Sequence, residues 1–121
     1  MQSHGHADFL WRGDVLYLHA FGPFNYEGVN EVYQEYMKQI GSRDGRPYRV
    51  IEVWDDETLA SPEAMKKIAM MWQHLQQNGC LSLAIVVANT MQKNLCEEML
   101  PVMGAIFMSL EDAENWLHSN T

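Results

Sequence analysis

Basic side chains are scarce in this sequence. Eight Lys and Arg stand against 16 Asp and Glu, leaving a formal charge of −8. Nucleic-acid and anionic-membrane binding rest on clustered Lys and Arg that neutralise phosphates, so both partner classes are excluded from expectation. Cysteine is nearly absent. Cys80 and Cys96 are the only two, each inside an apolar segment and without metal-ligand or CxxC spacing. That usage fits buried thiols in a reducing compartment. No long hydrophobic run occurs. Leu81 to Ala88 is the longest, contains Ser82, and falls far short of the roughly 20 residues of a membrane span. The N-terminal Met-Gln-Ser-His-Gly-His is polar and reads as neither a secretory signal nor a transit peptide. A cytoplasmic protein without membrane insertion is expected. Pro and Gly are few, at 4 and 8, which excludes collagen-like and low-complexity chains. With 47% hydrophobic residues in 121, the chain is expected to fold as one domain, residues 1–121.

Catalytic signatures are missing too. The sequence has no G-x-S-x-G, P-loop or G-x-G-x-x-G. Ser61 and Ser109 read as helix caps, Ser82 lies mid-strand, and neither Cys is near a His in sequence. No cofactor and no metal are implied, and a non-enzymatic protein is expected.

The hydrophobic pattern is explicit. Two strand-like segments, His6 to Arg12 and Val15 to Phe21, flank Gly13-Asp14, the signature of a two-residue type II′ hairpin. That loop sets Arg12 against Val15, Leu10 against Tyr17 and Asp8 against His19. Phe9, Trp11, Leu16, Leu18 and Ala20 then share the core face. His19 is expected to pair with Asp8 across the hairpin. Arg12-Gly13-Asp14, which spells an adhesion tripeptide, is read as turn chemistry, with Gly supplying positive φ.

Asn25 should cap a helix from Tyr26 to about Ile40, with Val29, Val32, Tyr33, Tyr36, Met37 and Ile40 inward and Gly41 closing it. Tyr48 to Trp54 reads as a third strand. Ser61-Pro62-Glu63 starts a second helix that buries Ala64, Ile68, Met71, Trp72 and Leu75 and stops at Asn78-Gly79. Cys80 to Ala88 is a strand covered on both faces. Thr90 should cap a third helix to about Leu100, with Leu95, Cys96 and Met99 inward. Ala105 to Met108 is a short last strand. Ser109 caps a final helix that packs Leu110, Ala113, Trp116 and Leu117. The order ββαβαβαβα implies an α/β fold: a mixed five-stranded sheet with four helices, parallel after the first hairpin.

This order resembles the STAS, or SpoIIAA-like, fold of anti-sigma-factor antagonists, and especially small bacterial STAS-like proteins of unknown function. Two motifs carry the resemblance: Gly22-Pro23-Phe24-Asn25 ahead of the first helix, and the ending Phe107, Ser109, Ala113, Trp116-Leu117. Regulatory members carry a phosphorylatable Ser in an Asp-Ser-x-Gly turn after strand three. Here that place holds Asp55-Asp56-Glu57-Thr58-Leu59-Ala60-Ser61. The resemblance implies a non-enzymatic regulatory or protein-interaction module. Asp55, Asp56, Thr58 and Ser61 are its candidate interaction or regulatory residues, with Ser61 expected to cap rather than to switch. Related folds carry lipids, which implies an alternative: a small apolar or lipid-like ligand in a pocket lined by Met and Trp.

Asp55-Asp56-Glu57 lies where ligands favour an open α/β sheet, and clustered carboxylates could hold Mg²⁺. A solvated acidic run beside a helix N-terminus accounts for it more simply. His4-x-His6 lacks a third ligand unless His19 joins it, and His74 and His118 have no matched partner. Nine Met and four Trp are many for this length. Trp54, Met65, Met70, Met99 and Met103 are the candidates for an apolar ligand site or interface. Met65, Ala69 and Met70 fall off the buried stripe of the second helix. Core filling is the simpler account of most Met, but some of these three should be exposed or covered by a protein partner, and with Trp54 at a strand end they motivate self-association as a homodimer.

Overall fold

The computed structural model describes residues 2–119. The expected domain also includes Met1, Asn120 and Thr121, which lie outside the described residues. The chain runs β1 (His6–Arg12), β2 (Val15–Phe21), α1 (Tyr26–Gly41), β3 (Tyr48–Trp54), α2 (Pro62–Gln77), β4 (Cys80–Val86), α3 (Thr90–Glu97), β5 (Gly104–Phe107) and α4 (Leu110–Ser119). The strands lie side by side in chain order. β1 and β2 are antiparallel, and every later neighbour is parallel. This is the expected α/β architecture.

The hairpin register is the one its loop length dictates. Arg12 faces Val15, Leu10 faces Tyr17 and Asp8 faces His19. Gly13 takes φ 61°, the positive value a type II′ turn demands. Asp8 and His19 are neighbours, but they do not pair. The Asp8 carboxylate meets His6 Nε2 at 2.7 Å instead, two residues along the same strand face. His19 turns its ring to the edge of Phe21.

One sheet face carries the larger core. Leu16, Leu18, Val50, Leu83 and Ile85 meet Val29 and Tyr36 of α1 and Ile68, Met71, Trp72 and Leu75 of α2. Each such side chain contributes about 1.5–3 kcal/mol by burial. The other face holds Val15, Ile51, Ala84 and Val86 under Ala113 and Leu117 of α4. α4 contacts β3, β4 and β5, so the outer face of the hairpin, with Leu10 and His19, stays exposed.

Several boundaries differ from the sequence expectation. α1 runs through Gly41 and is capped by Ser42. β4 ends at Val86 rather than Ala88, because the Ala88 N–H donates to the Gln92 side chain. α3 is capped by Asn89, not Thr90, since the Asn89 carboxamide accepts from the Gln92 N–H at 2.9 Å. α3 also ends at Glu97, short of Leu100, which precedes Pro101 and is steered from helical geometry. Its inward face is Gln92 and Cys96, while Leu95 is exposed. β5 begins at Gly104, and Leu110 points outward. Met65 and Trp54 are core residues, at 9% and 5% exposure. The buried face of α2 is wide enough to take Met65 beside Ile68, and Trp54 lies on the face of β3 that α2 covers. Of the three apolar residues off the α2 stripe, Met65 is covered, Ala69 is half-buried and Met70 is exposed. Met70 alone of the candidate Met and Trp residues is fully outward, at 60% exposure.

Candidate functional site

The carboxyl ends of β3 and β4 converge on the segment 55–61 that links β3 to α2. Asp55 shapes it. Its Oδ1 accepts from the Gly22 N–H (3.3 Å), the Glu57 N–H (3.1 Å) and the Thr58 hydroxyl (2.6 Å). Asp does this readily, because its short carboxylate reaches a backbone N–H two residues ahead. The Thr58 hydroxyl also lies 3.0 Å from the Ala20 carbonyl. Thr58 is thus buried against β2, at 3% exposure. Asp56 and Glu57 remain exposed, as does Ser61, whose hydroxyl caps α2 by accepting from the Ala64 N–H at 3.2 Å.

A residue that sequence reasoning missed holds this segment from beneath. Gln92, fully buried on the first turn of α3, donates Nε2 to the carbonyls of Asp55 (2.7 Å) and Thr58 (3.2 Å). Its Oε1 accepts from the Ala88 N–H at 2.8 Å. One carboxamide therefore joins β4, α3 and the β3–α2 segment. The β2–α1 turn supplies the other wall. The Phe24 N–H donates to the Leu59 carbonyl at 2.8 Å, and Phe24 forms a parallel bridge with Ala60. Gly22 is required there, since a Cβ would sit 2.5 Å from the Glu57 carbonyl oxygen.

Below the segment lies a second missed residue. Glu52, in the middle of β3, is buried at 2% exposure. Its Oε2 accepts from the Tyr36 hydroxyl (2.6 Å) and the Trp72 indole (3.0 Å), and its Oε1 from the Trp54 indole (3.0 Å). Burial raises its pKa above the ordinary 4.5, against the lowering effect of the three donors. Burial also holds the Tyr36 hydroxyl well above its ordinary value, with Glu52 adding to the shift. The one signal in sequence was a Glu within the apolar run Val50-Ile51-Glu52-Val53-Trp54. Glu52 borders an apolar cavity of about 30 Å³, lined also by Leu18, Phe24, Val29, Trp54 and Met71.

The candidate residues therefore divide. Asp55, Asp56, Thr58 and Ser61 share one short segment. Trp54 lines the cavity, whereas Met65, Met70, Met99 and Met103 do not. Met99 and Met103 are half-buried against the core, and Met70 borders a surface hollow with Tyr26, Glu63, Lys66 and Lys67. Both thiols are free and buried, and burial pushes each up to about 12, which leaves them unreactive near neutral pH. Among the described residues, no group of three or more His, Cys, Asp or Glu is placed to hold a metal. No helix among them is long and apolar enough to cross a membrane.

A mixed five-stranded sheet with strands in chain order and helices on both faces is an α/β fold of the SpoIIAA-like class. Among solved structures, the chain is similar to an uncharacterized protein of the DUF3478 family with a SpoIIAA-like fold, from Shewanella loihica PV-4. The two share 14% identity over 97% of this chain and 96% of that one, with a TM-score of 0.66. That likeness is one of fold. No protein-family model and no curated protein matches the sequence.

Proposed function

We propose that the protein is a non-enzymatic regulatory or protein-interaction module of the cytoplasm, which receives its partner on the β3–α2 segment. The observation that supports this reading is the Gln92 carboxamide, whose bonds to Asp55 and Thr58 give the segment one shape before any partner arrives. A preordered segment does not lose conformational entropy on docking, so contact energy goes into affinity. The same shape leaves Asp56, Glu57 and Glu63 in solvent, and a partner with a basic surface complements them. The test is quantitative crosslinking in the native host. A folded Asp56→Lys, Glu57→Lys double variant should lose a crosslinked partner that the wild type retains. Equal crosslinking by both proteins removes the proposal.

A second reading is a binder of a small apolar or lipid-like ligand, for which Trp54 and Met71 line the apolar cavity. At about 30 Å³ it is well below the roughly 150 Å³ of an engineered cavity that admits benzene. Such a ligand requires the residues lining the cavity to move apart. Native mass spectrometry of protein purified without denaturation distinguishes the readings, since a constant added mass supports the ligand and a bare chain removes it.

A further inference from the structure

β1 is an edge strand, and among the described residues no strand pairs with its outer side. Natural edges are guarded by charged side chains, Pro, bulges or brevity. β1 has of these only the charges of Asp8 and Arg12, which are of opposite sign and lie on its outer face. It is seven residues long, contains neither Lys nor Pro, and keeps unbroken register with β2 from His6 to Arg12. Its core side presents Ala7, Phe9 and Trp11, all half-buried. The opposite edge of the sheet, β5, is by contrast only four residues long.

Hydrogen-bond parity tells which groups of β1 are free. The carbonyls of Asp14 and Ala20 accept from Arg49 and Asp55, so the even-numbered residues of β2 bond toward β3. The odd-numbered ones, Val15, Tyr17, His19 and Phe21, bond toward β1. Their register partners are Arg12, Leu10, Asp8 and His6. Alternation then turns the N–H and C=O of Ala7, Phe9 and Trp11 to the free edge.

We propose that this edge is a homodimer interface, in which two copies pair their β1 strands antiparallel about a two-fold axis at Leu10. That register satisfies parity: Phe9 of each copy exchanges both backbone bonds with Trp11 of the other. It sets Asp8 opposite Arg12 on the outer face, once on each side of the axis. Both are non-hydrogen-bonded positions, where side chains stand closest. Leu10, 55% exposed in the single chain, meets its own copy on the axis. On the core face the aromatic edges of Phe9 and Trp11 cover each other. Neighbouring registers of the same parity are worse. An axis at Asp8 opposes like charges, and an axis at Phe9 or Trp11 sets a charge against Leu10. The pairing joins two five-stranded sheets into one continuous sheet. It is independent of the β3–α2 segment.

Sedimentation velocity at tens of micromolar, a range that reports micromolar Kd, tests the proposal. The wild type should sediment as a dimer. Asp8→Arg alone and Arg12→Asp alone each oppose like charges on both sides of the axis and should sediment as monomers. Both positions are exposed, so the far-UV circular dichroism spectrum should change little. An equimolar mixture of the two variants restores both attractive pairs and should regain the dimer. A monomeric wild type, dimeric single variants, or a mixture that stays monomeric would each overturn the proposal.

Discussion

The Tyr36 hydroxyl donates to the Glu52 carboxylate at 2.6 Å, deep between α1 and the sheet. Trp72 of α2 donates to the same oxygen at 3.0 Å, so one carboxylate ties both helices to β3. Glu52→Ala leaves a phenol and two indole N–H groups buried without an acceptor, and each orphaned group costs about 1–3 kcal/mol. Stability should fall by about 3–5 kcal/mol, measured by urea unfolding.

The same residue sets a pH dependence. Its pKa in the folded protein lies above the ordinary 4.5 of the unfolded chain. Between the two values the folded state holds more protons, so stability declines as pH rises. The contribution is complete below 4.5 and is lost as pH climbs through the raised folded value. Glu52→Gln does not titrate there. Its stability relative to wild type should therefore improve as pH rises from 4.5. A constant difference across that window would show that the three donors cancel burial.

Gln92→Ala removes three hydrogen bonds and leaves the Ala88 N–H and two carbonyls without their partner. A loss of about 2–3 kcal/mol follows from the desolvated groups. The more specific readout is hydrogen exchange. The amides of Glu57 and Thr58 should exchange faster in the variant, while those of β1 keep their protection. Uniform acceleration across the chain would mean that Gln92 supports the whole core and does not shape the segment.

Ser61 and Thr58 differ in what a kinase can reach. Ser61 is exposed and caps α2, so Ser61→Ala should cost about 1 kcal/mol. Thr58 is shut between Asp55 and the Ala20 carbonyl and must leave both to accept a phosphate. A phosphate on Ser61 would sit near Asp55, Asp56, Glu57 and Glu63, which repel it. Intact-mass analysis from the host should find both residues unmodified. Stoichiometric phosphate on either one would restore a phosphorylation switch of the anti-sigma-antagonist kind.

The parts of the fold legible in sequence are those written in local chemistry. A two-residue Gly13-Asp14 loop permits one hairpin register, and Asn25 and Ser61-Pro62 announce helix starts. The side-chain choice of Asp8 was not legible, because His6 and His19 are both in reach and differ by a rotamer. Glu52 and Gln92 escaped for another reason. A single polar residue in an apolar strand or a short helix breaks the period, and its partners lie on elements remote in sequence. Which of Met65, Ala69 and Met70 is covered is not legible either, because periodicity reports a direction and not the width of the covering layer.

Two glycines that look alike in sequence should respond oppositely to alanine. Gly41 ends α1 with open space where a Cβ would stand and without a positive φ. Gly41→Ala restricts the unfolded chain and meets nothing in the folded one, so it should stabilise by about 0.4–1 kcal/mol. Gly22 has a negative or extended φ as well, but its Cβ would stand 2.6 Å from the Thr58 Cα and 2.5 Å from the Glu57 oxygen. These are backbone atoms, anchored by Asp55 and Gln92, and no rotamer change relieves the contact. Gly22→Ala must push the β3–α2 segment off the β2–α1 turn, straining the Phe24–Leu59 bond and the Thr58 contacts together. Overpacking of this kind costs about 1–3 kcal/mol. Thermal unfolding of both variants beside wild type should therefore show midpoints on opposite sides of the parent. A neutral Gly22→Ala would mean that the segment yields without loss, and would remove the claim that it holds one shape.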